Sequence, residues 1–359
     1  MTRPWRTVAV AALVALAAAP APAQAATRRT VSGWLPYWSQ SNNLQHFAAN
    51  ADLFRAVSPF WYRADGSTTV YAQPGAEDAT VLRTARSKGV PVVPTVTESM
   101  NAKDMAAILG MASRRTAHAD RLIRIVDVHG FAGIDLDYEQ FVVTTDQTVA
   151  ATNKSGFSAL VKELCGKLRA RGKQCVITVH ARTDDAMQAS YRPTHAVGVF
   201  DFAVIARYAT TMRIMTYGQH YPSGKTAGPV AGLPWVEAVA KYTVSKVGSY
   251  RSRVELGVAQ VGYDWPSTGV KATTYTFAQA VAKLRAVGSP RMWSSTEQAP
   301  YFNYRSADGV GHRVWYDDAQ SGAIRARLAL RYGFAGTALW YPGIEDPNLW
   351  SPLRSMSQA

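Results

Sequence analysis

Gly133-Ile134-Asp135-Leu136-Asp137-Tyr138-Glu139 decides how the rest of the chain is read. In an extended strand successive side chains alternate faces, so Asp135, Asp137 and Glu139 share one face. Ile134, Leu136 and Tyr138 take the other, which suits a strand backed by helices and not an exposed acidic edge. Carboxylates two residues apart repel one another and resist desolvation, and a strand serving only to pack would not keep them. Such like charges cannot all ionise in a confined space, so at least one pKa is expected to rise into the range of a general acid. Glu139, last in the run and nearest the C-terminal end of the strand, is the expected proton donor. Asp137 is placed to orient or stabilise charge.

Outward from this stretch, short apolar runs alternate with amphipathic ones. The runs are Val31 to Trp38, Ala56 to Tyr62, Val90 to Val96, Phe131 to Glu139, Cys175 to Ala181, Met212 to Tyr217, Val254 to Val261 and Gly336 to Tyr341. Helical patterns cover Asp78 to Ser87, Lys103 to Val128, Phe157 to Arg171 and Val236 to Val244. Near-continuous apolar strands separated by helices predict an α/β fold, a (β/α)8 TIM barrel. Between Asp264 and Asp318 the rhythm breaks into alternating polar and aromatic positions with turn signals. That predicts a small α+β insertion, residues 266–317, before the last helix and strand of one barrel spanning 26–359.

The chain has 359 residues and only 18% charged ones, with 39 Lys plus Arg against 25 Asp plus Glu. These values exclude a disordered tail and a disulfide-dense mini-scaffold. Arg3 and Arg6, the apolar run Val8 to Ala19 and the small residues Ala23-Gln24-Ala25 form the plan of a secretory leader, residues 1–25. Its removal takes two Arg and no acid, lowering the net charge from +14 to +12. No later run reaches membrane-spanning length, so a secreted, extracellular protein without a membrane partner is expected. Export and the scattered basic residues argue against a nucleic-acid partner. The charge suits attraction to an anionic cell wall, or simply a solvated surface.

Cys165 and Cys175 are a disulfide candidate in an oxidising compartment, with two buried thiols as the alternative. Neither lies in a metal-ligand pattern and the seven His show no such spacing, so no metal and no cofactor are expected. Gly218 to Thr226 looks like a phosphate-binding loop but has one intervening residue too many.

The acidic stretch resembles the Asp-x-x-Asp-x-Asp-x-Glu motif of glycoside hydrolase family 18, the chitinase-like barrels. Gly33-Trp34-Leu35-Pro36-Tyr37-Trp38 resembles that family's first strand, Ser58-Pro59-Phe60-Trp61-Tyr62 its second and Met215-Thr216-Tyr217 its sixth. Leu256-Gly257 through Gly262-Tyr263-Asp264-Trp265 resembles the seventh, and Ala338-Leu339-Trp340 the eighth. Gly228-Pro229-Val230, Leu233-Pro234-Trp235-Val236 and Val314-Trp315-Tyr316-Asp317-Asp318 look like the spore-cortex-lytic branch, which trims peptidoglycan.

The resemblance implies a retaining hydrolase acting at N-acetylglucosamine by substrate assistance, an exception to the two-carboxylate scheme. It implies Glu139 as acid and then base, Asp137 holding the acetamido N–H, and Tyr217 bonding the acetamido oxygen. Asp135 is counted with them as a catalytic residue, and Trp340 forms the floor under the sugar. The partner is then an N-acetylglucosamine-containing polysaccharide, peptidoglycan or chitin, and the enzyme is expected to act as a monomer. A glycan-binding barrel without turnover is the alternative. Trp34, Trp38, Trp61, Tyr263, Trp265 and Trp315 lie near strand ends as groove aromatics or core residues. His180, Gln219 and His220 are placed to bond sugar hydroxyls or to brace loops. Two departures stand out. The first Asp of the motif is Ala132, which is expected to weaken the support of Asp135, and the Asp that often follows the sixth-strand Tyr is Gly218.

Overall fold

The computed structural model describes Met1 and residues 29–358, so the expected leader cleavage site lies outside the described residues. The chain opens with β1 (Val31–Leu35), α1 (Gln40–Ala49), β2 (Phe54–Ala64), β3 (Val70–Ala72), α2 (Ala79–Ser87) and β4 (Thr95–Glu98). There follow α3 (Ala102–Leu109), α4 (Ala112–His129), β5 (Gly133–Asp137), α5 (Gln147–Ala170), β6 (Gln174–His180), α6 (Phe202–Tyr208) and β7 (Thr211–Met215). After α7 (Leu233–Val247) and β8 (Val254–Ala259) come β9 (Val261–Pro266), β10 (Thr273–Thr276), α8 (Phe277–Val287), β11 (Met292–Ser294), β12 (Ala299–Arg305) and β13 (Gly311–Trp315). The chain then forms α9 (Ala319–Arg331), β14 (Gly336–Trp340) and α10 (Trp350–Gln358).

Eight strands pair in parallel in the order β1, β14, β8, β7, β6, β5, β4, β2, and the β1–β2 pairing closes the ring. This is the expected (β/α)8 barrel. A closed ring leaves no sheet edge, and the helices cover its outer face, so apolar residues such as Ile134, Leu136, Ile177 and Leu256 are fully buried there. The single helix expected over Lys103 to Val128 is two, α3 and α4, because the chain breaks at Gly110. A side chain at Gly110 would meet the Ala106 carbonyl at 2.9 Å. The α5 helix starts ten residues earlier than its apolar pattern, where the Asp146 carboxylate caps the Thr148 and Val149 N–H groups.

Between β8 and α9 the chain builds an antiparallel sheet, order β10-β9-β13-β12-β11, packed on α8 through Ala280, Phe302, Val314 and Tyr316. The sheet begins at Val261, so its first strand includes Tyr263, which returns to the barrel mouth. Cys165 of α5 and Cys175 of β6 are joined in a disulfide with Cα atoms 5.2 Å apart. Among the described residues no helix is long and apolar enough to cross a membrane.

Candidate active site

Inside the ring the strands contribute polar side chains alongside a small apolar cluster of Ala56, Val93 and Val176. Asp135 on β5 is fully buried and faces four donors. These are Trp34 Nε1 at 3.0 Å, Thr95 Oγ1 at 3.0 Å, Thr178 Oγ1 at 2.8 Å and Arg213 Nη1 at 3.1 Å. Burial pushes its pKa up, and Arg213 and the hydroxyl and indole donors pull against that. Arg213, only 1% exposed, also donates to Glu255 Oε2 at 2.9 Å and to Ser58 Oγ at 2.6 Å. Ser32 donates to the other oxygen of Glu255 at 2.8 Å. With Ala132 in place of the motif's first acid, Asp135 still has these four donors. Ala132 packs against Ala56, Val93 and Val176, and Arg213 supplies the countercharge from β7, one strand beyond β6.

One step up the same face, Asp137 has no such company. It is buried, and its Oδ1 finds no hydrogen-bond partner. Burial raises its pKa well above the ordinary value, and the charges of Glu139, Asp135 and Glu98 add to the rise.

Glu139 sits just past the strand, where the chain enters a 3₁₀ turn at Gln140–Val142. Its side chain is 42% exposed in the barrel mouth. Burial by the surrounding walls raises its pKa, against the pull of Arg192. Glu98, at the end of β4, fixes this segment by accepting from Glu139 N at 2.9 Å and Phe141 N at 2.8 Å. Burial raises Glu98 to about 7, while those amides oppose the rise. His180 Nε2 lies 3.4 Å from Glu139 Oε2. Burial, helped by His195 and Arg192, drops the pKa of His180 to about 3, so the ring is neutral at working pH.

Tyr217 follows β7, and its phenol is kept protonated by burial and by the nearby carboxylates. Its ring is stacked near Trp340, with centroids 6.4 Å apart at 30°. Trp340 at the end of β14 is held edgewise by Trp34 and Phe60. Glu139, His180, Tyr217, Tyr263 and Trp340 line one cavity of about 140 Å³ with Tyr191 and Arg192. Trp38, 54% exposed, stands beside Trp340 and lines a neighbouring cavity of about 230 Å³. Trp38 belongs to a 3₁₀ turn and not to the first strand as expected.

Two expected contacts fall elsewhere. Trp61 is fully buried, packed on Phe131 and bonded to Gln40, because a register shift at this point of β2 turns it away from the mouth. Gln219 does not line the cavity; its Oε1 accepts from Gly232 N at 2.8 Å and braces the loop before α7. His220 does likewise through the Pro229 carbonyl at 2.8 Å. Trp265 and Trp315 are core residues of the inserted sheet. Sequence reasoning missed Arg213, Glu98, Tyr191 and Arg192. An Arg in the apolar run Met212 to Tyr217 was the available signal for the first.

A closed barrel with carboxyl groups, a phenol and an indole gathered at the C-terminal rim of its strands defines a carbohydrate-cleaving barrel. The chain belongs to the glycosyl hydrolases family 18, whose sequence profile matches residues 31–343, and it is a glycoside hydrolase. It is 21% identical over 318 residues to the cortical fragment-lytic enzyme of Bacillus subtilis, covering 86% of this chain and 70% of the relative. It is 23% identical over 313 residues to human di-N-acetylchitobiase, covering 80% of this chain and 76% of that one. The fold is shared with a chitinase from Chromobacterium violaceum at a TM-score of 0.79 and 24% identity, over 92% of this chain and 99% of the other.

Proposed function

We propose that this is an exported retaining hydrolase that cleaves β-1,4 bonds at N-acetylglucosamine, in peptidoglycan first and in chitin-type glycans second. The observation that carries the reading is Asp137, a buried carboxyl with a free oxygen, between the anchored Asp135 below and the half-exposed Glu139 above. A group so placed suits the N–H of an acetamido substituent and not a water-filled gap. With the sugar on Trp340, the acetamido oxygen attacks the anomeric carbon as Glu139 gives its proton to the leaving oxygen. Asp137 and Tyr217 stabilise the oxazolinium that results, and Glu139 then takes a proton from the incoming water. The peptidoglycan preference is supported by the likeness to a cortical fragment-lytic enzyme and by the basic surface charge. Export is supported by the leader pattern of residues 1–25 and by the disulfide.

The test is product analysis by mass spectrometry on purified peptidoglycan and on chitin oligomers, with Glu139→Gln as control. Fragments with reducing N-acetylglucosamine ends from wild type only are expected. Unchanged hydrolysis by Glu139→Gln would sink the acid assignment. Indifference to a thiazoline mimic of the oxazolinium would remove substrate assistance.

A further inference from the structure

Arg213 inside the barrel and Arg192 at its mouth are differently committed. Arg213 is consumed by Asp135, Glu255 and Ser58. Arg192, in the loop between β6 and α6, lines the cavity that holds Glu139, Tyr217 and Trp340. Among the described residues its guanidinium makes no hydrogen bond and no ion pair; it lies over the Tyr221 ring, 4.6 Å from the centroid. Gly218 keeps the space beside it clear, since a Cβ there would stand 3.3 Å from a terminal nitrogen of Arg192. Arg192 shares that cavity with His180, Tyr191 and Tyr263 as well, and its charge opposes the rise in the Glu139 pKa. Arg192 therefore lies in the same cavity as the proton donor.

A guanidinium stacked on a ring has lost much of its rotational freedom, and its N–H edge matches the two oxygens of a carboxylate. The hydroxyls of a neutral glycan offer that cation no counter-charge. We propose that Arg192 is a specificity-determining residue that binds a carboxylate carried by the glycan on the leaving-group side of the scissile bond. The inference rests on the reading that the cleft holds an N-acetylhexosamine glycan, and needs no turnover. In peptidoglycan-type chains the carboxylate comes from a 3-O-lactyl ether or from a peptide stem attached to it.

The experiment uses the Glu139→Gln protein and calorimetry with three tetrasaccharides of alternating N-acetylglucosamine and N-acetylmuramic acid. One is peptide-free with free lactyl carboxylates, one has those groups reduced to alcohols, and one carries peptide stems. A carboxylate-bearing glycan is expected to bind at least about tenfold tighter than the reduced one, as charge-assisted paired bonds allow. Adding Arg192→Gln should erase that difference, and Arg192→Lys should restore only part of it. Preference for the peptide-free acid identifies the lactyl group, and preference for the stem-bearing form alone identifies the stem. Equal binding of all three, no binding, or a preference that survives Arg192→Gln overturns the inference. Release of reducing ends by wild type from the reduced glycan tests the hydrolase reading separately.

Discussion

Asp135 and Asp137 lie two residues apart on one strand and one face, yet their surroundings are opposite. The lower layer of the barrel closes on Asp135 with four donors, one of them a guanidinium, an environment built for an anion. The upper layer gives Asp137 carboxyl neighbours and a free oxygen. The same residue type thus serves structure in one layer and chemistry in the next. What separates them is the reach of Arg213 from β7.

The largest effect should come from breaking the lower layer. Arg213→Met removes the buried cation that pairs with Asp135 and Glu255, and such loss costs about 3–5 kcal/mol. Urea denaturation should show it, and adding Asp135→Asn with Glu255→Gln should recover most of the loss. Asp137→Asn strikes the upper layer alone. Turnover should fall roughly 10²–10³-fold, the scale of a lost transition-state contact, while the urea midpoint holds.

Glu98 offers a pH test of the seam between layers. Its folded pKa, about 7 against an ordinary 4.5, means the folded state holds its proton more tightly than the unfolded chain. Its contribution to stability is therefore full below pH 4.5 and is lost as pH rises toward 7, on the order of 3 kcal/mol. Thermal melts across that window should flatten in Glu98→Gln; an unaltered slope would assign the pH dependence elsewhere. The smallest effect belongs to the reverse face of β5. Tyr138→Phe removes the 2.7 Å bond to buried His118 Nε2 and should cost about 1–2 kcal/mol with little change in turnover. A large drop in turnover would show that the two faces of the strand are not independent.

Much of this was legible in the chain because it is local. The two-residue period placed Asp135, Asp137 and Glu139 on one face, and the alternation of apolar runs and helices implied the barrel. Arg213 was hidden because its meaning depends on parallel register between strands 78 residues apart. Glu98 was hidden because it acts by holding two backbone amides, which leaves no side-chain pattern. Trp61 was misread because a register shift in β2 cancels simple alternation at that residue. Arg192 lies in a loop, where no periodicity speaks.

The cluster of Arg213, Asp135 and Glu255 also constrains how the chain can change over generations. Its members stand 78 and 42 positions apart in the sequence, yet the burial of each charge is offset by the others. A lineage that alters one codon meets a strongly destabilised intermediate, so neutral drift is closed at these positions. Descendants that depart from the triad are expected to replace it as a set, with apolar or neutral polar residues at all three places.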